Sequence, residues 1–119
     1  MRVIDNEMIV CFDVDDTIVK WSGNHTQPHT HAIEFTDPYN NDLVFLIPHK
    51  KHINLLKQLK NRGYTIIVWS GGGYRWAETV VNTLKLESYV DTAMSKPAKY
   101  VDDLQAHDIL GSRIFLEDD

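Results

Sequence analysis

The sequence predicts an α/β fold, a three-layer, doubly wound, mainly parallel Rossmann-like sheet with a small β-hairpin flap. Three observations predict it. Apolar, β-prone runs at residues 8–12 and 64–69 each stop abruptly at acidic or small residues, amphipathic helical patterns lie between and after them, and the alternation breaks once, between Thr17 and Pro48. Strands alternating with helical patterns are the signature of parallel pairing through crossover helices.

Each element follows from local pattern. Met8-Ile9-Val10-Cys11-Phe12 is a buried first strand, and it runs directly into Asp13-Val14-Asp15-Asp16-Thr17. After it, His31-Ala32-Ile33-Glu34-Phe35-Thr36 and Leu43-Val44-Phe45-Leu46-Ile47 flank Asp37-Pro38-Tyr39-Asn40-Asn41-Asp42, whose composition is that of a turn. Residues 21–47 therefore read as a hairpin flap inserted into a single domain spanning residues 1–119. Pro48 precedes a helix whose apolar positions Ile53, Leu56 and Leu59 recur at helical spacing, and Asn61-Arg62-Gly63 ends it. Tyr64-Thr65-Ile66-Ile67-Val68-Trp69 reads as a central strand. It stops at Ser70-Gly71-Gly72-Gly73, and Trp76, Val80, Val81 and Leu84 mark one face of the next helix. Shorter strands are expected near residues 89–93, 99–101 and 113–116.

Composition narrows the function classes. With 119 residues and 43% hydrophobic content the chain has material for one real core. A formal charge of -5 argues against general affinity for nucleic-acid backbones or anionic membranes, leaving a nucleic-acid end as the only form of that partner. The single Cys11 excludes an internal disulfide and reads as a small core residue, which fits a reducing, cytoplasmic compartment. No signal-peptide pattern opens the chain and no apolar run approaches a membrane span, so a soluble protein without a membrane partner is expected.

The chemistry concentrates at the ends of the strands. Two carboxylates in alternate positions, Asp13 and Asp15, sit at the carboxyl end of the first strand, where open α/β sheets carry their ligands. One can act as nucleophile and the other as general acid/base, and the local negative charge calls for a bound cation. Ser70 opens a glycine-rich turn into a helix, so its hydroxyl and the amides around Gly71 can hold phosphate oxygens, although an ordinary N-cap serine has the same pattern. Lys96, in Ser95-Lys96-Pro97, can present an ammonium to a phosphate or to the nucleophilic carboxylate, or can be a solvated loop lysine. Asp102 and Asp103 can complete a magnesium site, which prefers carboxylate and water oxygens, or can cap a helix.

In this order and in these strand contexts, the set resembles the haloacid dehalogenase (HAD) superfamily of aspartate-nucleophile phosphohydrolases. The resemblance runs from about residue 8 to residue 116. Asp13-Val14-Asp15-Asp16-Thr17 is similar to the family's first motif, Ser70 to its second, Lys96 to its third and Asp102-Asp103 to the paired-acid form of its fourth. Only Pro97-Ala98-Lys99-Tyr100-Val101 separates the third from the fourth, so a tight connection stands where a helix often lies. The resemblance implies a Mg²⁺-dependent, capless phosphomonoesterase. Asp13 attacks phosphorus, Asp15 protonates the leaving oxygen and then activates water, and Ser70, Gly71 and Lys96 bind the phosphoryl oxygens. Asp13, the Asp15 backbone carbonyl, Asp102 and Asp103 hold the metal. A nucleic-acid-end or phosphoprotein phosphatase, and a catalytically silent phosphate-binding module, are the alternatives.

Other prominent residues read more plainly. His25, His29 and His31 cluster without cysteine partners and are expected to face solvent or substrate rather than a transition metal. Trp21, Tyr74 and Trp76 fall near the expected site, with Trp76 assigned to the core face of its helix. Glu117-Asp118-Asp119 reads as an acidic tail.

Overall fold

The computed structural model of the chain describes residues 8–21 and 31–117. His25 and His29, the stretch 22–30 of the expected flap, and Asp118 and Asp119 of the tail lie outside the described residues. The elements in chain order are β1 (Ile9–Asp13), β2 (Val19–Trp21), β3 (Ile33–Thr36), β4 (Leu43–Pro48), α1 (Lys50–Asn61), β5 (Thr65–Ser70), α2 (Tyr74–Thr83), β6 (Thr92–Ser95) and the single turn α3 (Ala106–Ile109). They form an α/β protein with two sheets, a parallel one in the order β1-β5-β6 and an antiparallel one in the order β2-β4-β3.

Register in the parallel sheet decides which residues share a face. Val10 pairs with Ile66 and Phe12 with Val68, and Val68 pairs in turn with Ala93, so these side chains line one face. Phe12, Ile66 and Val68 on that face are buried, and α2, which packs on β5 and β6, contributes buried Trp76, Ala77, Val80 and Val81 to the same core. The opposite face carries Ile9, Cys11, Ile67 and Trp69. Here Ile9 and Cys11 are exposed while Ile67 and Trp69 are half-buried. Cys11 is thus a correction to the core placement read from its apolar run, because β1 is an edge strand with little over this face. Partial burial still pushes its thiol up, away from the reactive thiolate.

The helices start and stop where the sequence places them. His49 caps α1, its imidazole accepting the His52 amide, and Gly63, at φ +93°, turns the chain out of the helix. Asp91 then fastens α1 to the sheet. Its carboxylate takes the Lys60 ammonium at 2.8 and 2.9 Å and the Ile66 amide at 2.7 Å, which holds its carboxyl below the ordinary range, Lys60 being the larger cause.

The flap is larger than a hairpin. β3 and β4 form the expected antiparallel pair around an Asp37 turn, and β2 adds a third strand on the other side of β4, with Val19 opposite Pro48 and Trp21 opposite Leu46. Phe35 and Leu46 anchor this sheet in the core, and the Phe35 ring meets Trp76 of α2 edge-on at 6.1 Å.

Three strand expectations need correction. The strand expected at residues 89–93 begins later, as β6. Residues 99–101 are not a strand, and Val101 is fully exposed. Residues 113–116 are β-prone but form no ladder, because the amide a ladder needs is committed elsewhere: Leu116 N–H donates to Nε2 of His52 at 2.9 Å. Among the described residues, the outer edge of β1 therefore has no strand partner. No helix among them is long and apolar enough to cross a membrane.

Candidate active site

Parallel pairing brings three strand ends to one edge. Asp13 closes β1 opposite Trp69, Ser70 is the next residue of β5, and Ser95, opposite Ser70, closes β6 just before Lys96. The Lys96 amide donates to the Ser70 carbonyl at 2.9 Å, locking the two turns together. Lys96 Nζ consequently reaches Asp13 Oδ1 at 3.0 Å. The two side chains are 41% and 34% exposed, so the pair is screened and adds little stability. Its importance is positional: a cation from the turn after β6 stands on the carboxylate that ends β1.

The turn after β1 is built to present two carboxylates. Val14, Ile18 and Val19 are fully buried, and the amides of Thr17, Ile18 and Val19 all point to the Val14 carbonyl, with Asp16 in the left-handed region at φ 60°. Anchoring Val14 inward leaves Asp13 and Asp15 at the half-buried mouth. Thr17 Oγ1 donates to Asp13 Oδ2 at 3.0 Å, so both oxygens of Asp13 are positioned, one by a cation and one by a hydroxyl.

Asp15 is held differently. The indole N–H groups of Trp21 and Trp76 both donate to its Oδ1, each at 3.1 Å. One oxygen of Asp15 is thus held by two donors. Sequence reading assigned Trp76 to the core. It is indeed buried at 7% exposure, and its polar edge also serves the site.

The glycine-rich turn is tighter than an open phosphate cradle. Ser70 is buried, its Oγ accepts the Gly72 amide at 2.9 Å, and its carbonyl takes the Gly73 amide at 3.2 Å. Gly71 faces open space, so no steric demand fixes glycine there. Gly73 does require glycine, because its φ of +102° is a conformation side chains rarely adopt, and a Cβ there would also press on the Tyr39 hydroxyl of the flap turn. The flap thereby rests on the turn that follows β5.

Two cavities open beside the carboxylates. The first, about 410 Å³, is lined by Asp13, Thr17, Lys96, His52, Arg113 and Phe115 among others. The second, about 190 Å³, is lined by Asp15, Trp21, Asp37, Tyr39, Val44, Gly72 and Trp76.

Sequence reading missed His49 and His52, although two histidines at helical spacing directly after Pro48 were a visible signal. Both are buried and stack at 3.8 Å, with the Phe115 ring edge-on to each. Since His52 Nε2 accepts the Leu116 amide, its proton sits on Nδ1 and is given to the Thr17 carbonyl at 2.8 Å. His52 therefore joins the turn after β1 to the C-terminal segment.

Asp102 and Asp103 stand apart from this machinery. Both are exposed, and Asp102 accepts the Leu104 amide two residues on. Among the described residues no group of three or more His, Cys, Asp or Glu is placed to hold a metal ion. The four acids expected to share a magnesium are not gathered into such a group, because residues 99–101 form no strand to carry the pair to the sheet edge.

No protein-family model matches the chain, and no curated protein and no solved structure matches it either.

Proposed function

We propose that this protein is a phosphomonoesterase of the HAD-like type that works through an aspartyl-phosphate on Asp13. One observation carries the reading: Lys96 Nζ stands 3.0 Å from Asp13 Oδ1, although Asp13 ends β1 and Lys96 follows β6, far apart in the chain. A carboxylate nucleophile facing an anionic phosphate needs a cation at that place.

The remaining roles follow. Asp13 oxygen bonds to phosphorus as the ester P–O bond breaks, and the electron pair of that bond goes to the leaving oxygen, which takes the proton from Asp15 Oδ2. Water then attacks phosphorus, Asp15 accepts its proton, and the bond between phosphorus and Asp13 breaks to return the carboxylate. Trp21 and Trp76 hold Asp15 through Oδ1 during both exchanges. Lys96 binds a phosphoryl oxygen, and Ser70 and Gly71 lie on the turn beside it.

Mg²⁺ belongs to this reading as the ion that offsets repulsion between nucleophile and phosphate. The Asp13 carboxylate and the Asp15 carbonyl are suitable oxygen donors, but Asp102 and Asp103 do not join them in the arrangement described above. Among the described residues the four acids are not gathered around one position, and none of these steps passes through the ion. A doubly wound Rossmann-like sheet, a cytoplasmic location and a phosphorylated substrate complete the proposal.

The test is turnover of phenyl phosphate with added Mg²⁺ and with chelator, combined with acid-quench trapping of the phosphoenzyme. Asp13→Asn is expected to abolish the trapped species and lower turnover at least about a thousandfold. Asp15→Asn is expected to form the phosphoenzyme with an activated leaving group and to hydrolyse it about 10²- to 10⁴-fold more slowly. Near-normal activity in Asp13→Asn rejects the aspartate nucleophile.

A further inference from the structure

The second cavity has walls that select for charge. Three aromatic side chains, Trp21, Tyr39 and Trp76, and the methyls of Val44 enclose it together with the carboxylates of Asp15 and Asp37. Among the described residues lining it there is no lysine, arginine or histidine. Ion pairs among the described residues join Lys60 to Asp91, Lys96 to Asp13 and His107 to Asp108, so neither Asp15 nor Asp37 is in one. Arg75, on the first turn of α2, is engaged with Tyr74 through Nε at 3.3 Å. Aromatic residues beside the Asp37 carboxylate, with no basic residue among the described ones lining the cavity, suit an organic cation, since acid oxygens and aromatic rings both attract positive charge.

The opposite side of the turn has the opposite sign. There Lys96 and Arg113 line the cavity that holds Asp13. On the phosphomonoesterase reading, the ester oxygen of a phosphate on Asp13 meets Asp15, and Asp15 also lines the second cavity with Trp21, Tyr39 and Asp37. Resting on the phosphomonoesterase reading, we infer that the preferred substrate is a zwitterionic phosphomonoester, the phosphate of a small amino or quaternary ammonium alcohol. Its anionic end meets Lys96 and Arg113, and its cationic end enters the aromatic cavity.

Size agrees with a small head group. The cavity is about 190 Å³, below the roughly 300–1,000 Å³ of sites that enclose drug-sized ligands. A substituted ammonium is closer to that scale than a complete nucleoside. The walls are also preset: the indole N–H groups of Trp21 and Trp76 are tied to Asp15, the Asp37 carboxylate accepts the Tyr39 amide at 2.9 Å, and the Tyr39 hydroxyl rests against Gly73. A cavity held in this way does not have to be assembled by the ligand.

The experiment compares kcat/KM for phosphocholine and phosphoethanolamine with that for 3,3-dimethylbutyl phosphate, the uncharged carbon isostere of phosphocholine, and with adenosine monophosphate and phenyl phosphate. The expected result is a preference of about tenfold or more for the cationic esters over the isostere, with the ratio falling toward one in Asp37→Asn and in Tyr39→Leu. Choline alone, titrated while tryptophan fluorescence is followed, is expected to shift the emission of the wild-type chain and of Asp13→Asn, and not of Asp37→Asn. If phenyl phosphate is hydrolysed but the wild-type chain treats phosphocholine and its isostere alike, or prefers adenosine monophosphate, the cation site is overturned and the phosphatase stands. If no ester is hydrolysed but choline still shifts the fluorescence in the Asp37-dependent way, the cation site stands and the phosphatase reading fails. The wild-type ratio needs no variant, so an unfolded Asp37→Asn leaves the test intact.

Discussion

The two cavities beside Asp13 and Asp15 differ in how their walls are made. Around the second, Trp21 and Val44 stand on strands of the antiparallel sheet and Trp76 stands on α2, so ladder and helix hydrogen bonds fix three of its walls. Around the first, one wall is Ser112, Arg113, Ile114 and Phe115, which belong to no helix or strand. That wall is held by the Leu116 amide on His52 and by the Phe115 ring on the two imidazoles. Regular structure makes a wall that every neighbour supports, whereas an irregular segment depends on a few named contacts. The wall of the second cavity is thus built into regular structure, and that wall of the first depends on His52.

The largest expected effect falls on the first cavity alone. Lys96→Met removes the ammonium 3.0 Å from Asp13 Oδ1, and on the proposed function kcat/KM is expected to fall about 10²- to 10³-fold. The loss should be equal for cationic and neutral esters, because Lys96 does not line the second cavity. A loss confined to cationic esters would erase the division between the two cavities.

His52→Ala attacks the weaker wall. The substitution deletes a buried ring, its stacking on His49, and bonds to Thr17 and Leu116 at 2.8 and 2.9 Å. A cost of about 2–3 kcal/mol in urea unfolding is expected. In the folded variant, hydrogen exchange at the Leu116 amide should accelerate while amides of the β2-β4 ladder keep their protection. Equal protection of Leu116 in both proteins rejects His52 as the tie.

These differences mark what the sequence could reveal. Asp13 and Ser70 were placed by the apolar runs they end and Lys96 by the short strand it follows, and parallel pairing of β1, β5 and β6 brings these positions to one edge. The antiparallel pair around Asp37 was legible from alternating β-prone runs and turn chemistry, but the third strand was not, because the three residues of β2 carry too little pattern. Arg113-Ile114-Phe115-Leu116 has the composition of a strand and is not one. Strand propensity describes side chains that suit a pleated surface, and here the partner of the Leu116 amide is an imidazole more than sixty residues away in sequence. The two indoles on Asp15 escaped for the same reason, since Trp76 and Asp15 meet only through the tertiary fold.

A smaller effect is expected where the flap touches the glycine turn. Gly73→Ala places a methyl against the Tyr39 hydroxyl and forces alanine to φ near +102°, costing about 1–2 kcal/mol in thermal or urea unfolding. Tyr39 lines only the second of the two cavities, so ester selectivity should change more than phenyl phosphate turnover. A change of equal size in both measurements would show that the flap turn supports the two cavities together.

The smallest expected effect lies away from both cavities and serves as their control. Asp91 is paired with Lys60 and accepts the Ile66 amide, which lowers its pKa in the folded protein. Because the folded value lies below the unfolded one, the pair's contribution is complete above the ordinary carboxylate range and is lost as pH falls through the folded value. The Asp91 side chain is 36% exposed, and screening limits the contribution to about 0.5 kcal/mol. Asp91→Asn retains an oxygen for the Ile66 amide and loses the charge on Lys60. The stability difference between wild type and variant should therefore be constant near neutral pH and shrink in acid, below the ordinary carboxylate range. Added salt should reduce the neutral-pH difference as well. Neither change should alter the ratio of cationic to neutral ester turnover, since neither Lys60 nor Asp91 lines either cavity. A shift of that ratio in Asp91→Asn would mean that the sheet transmits strain from its far end to the site, and the two cavities could no longer be treated as separately held.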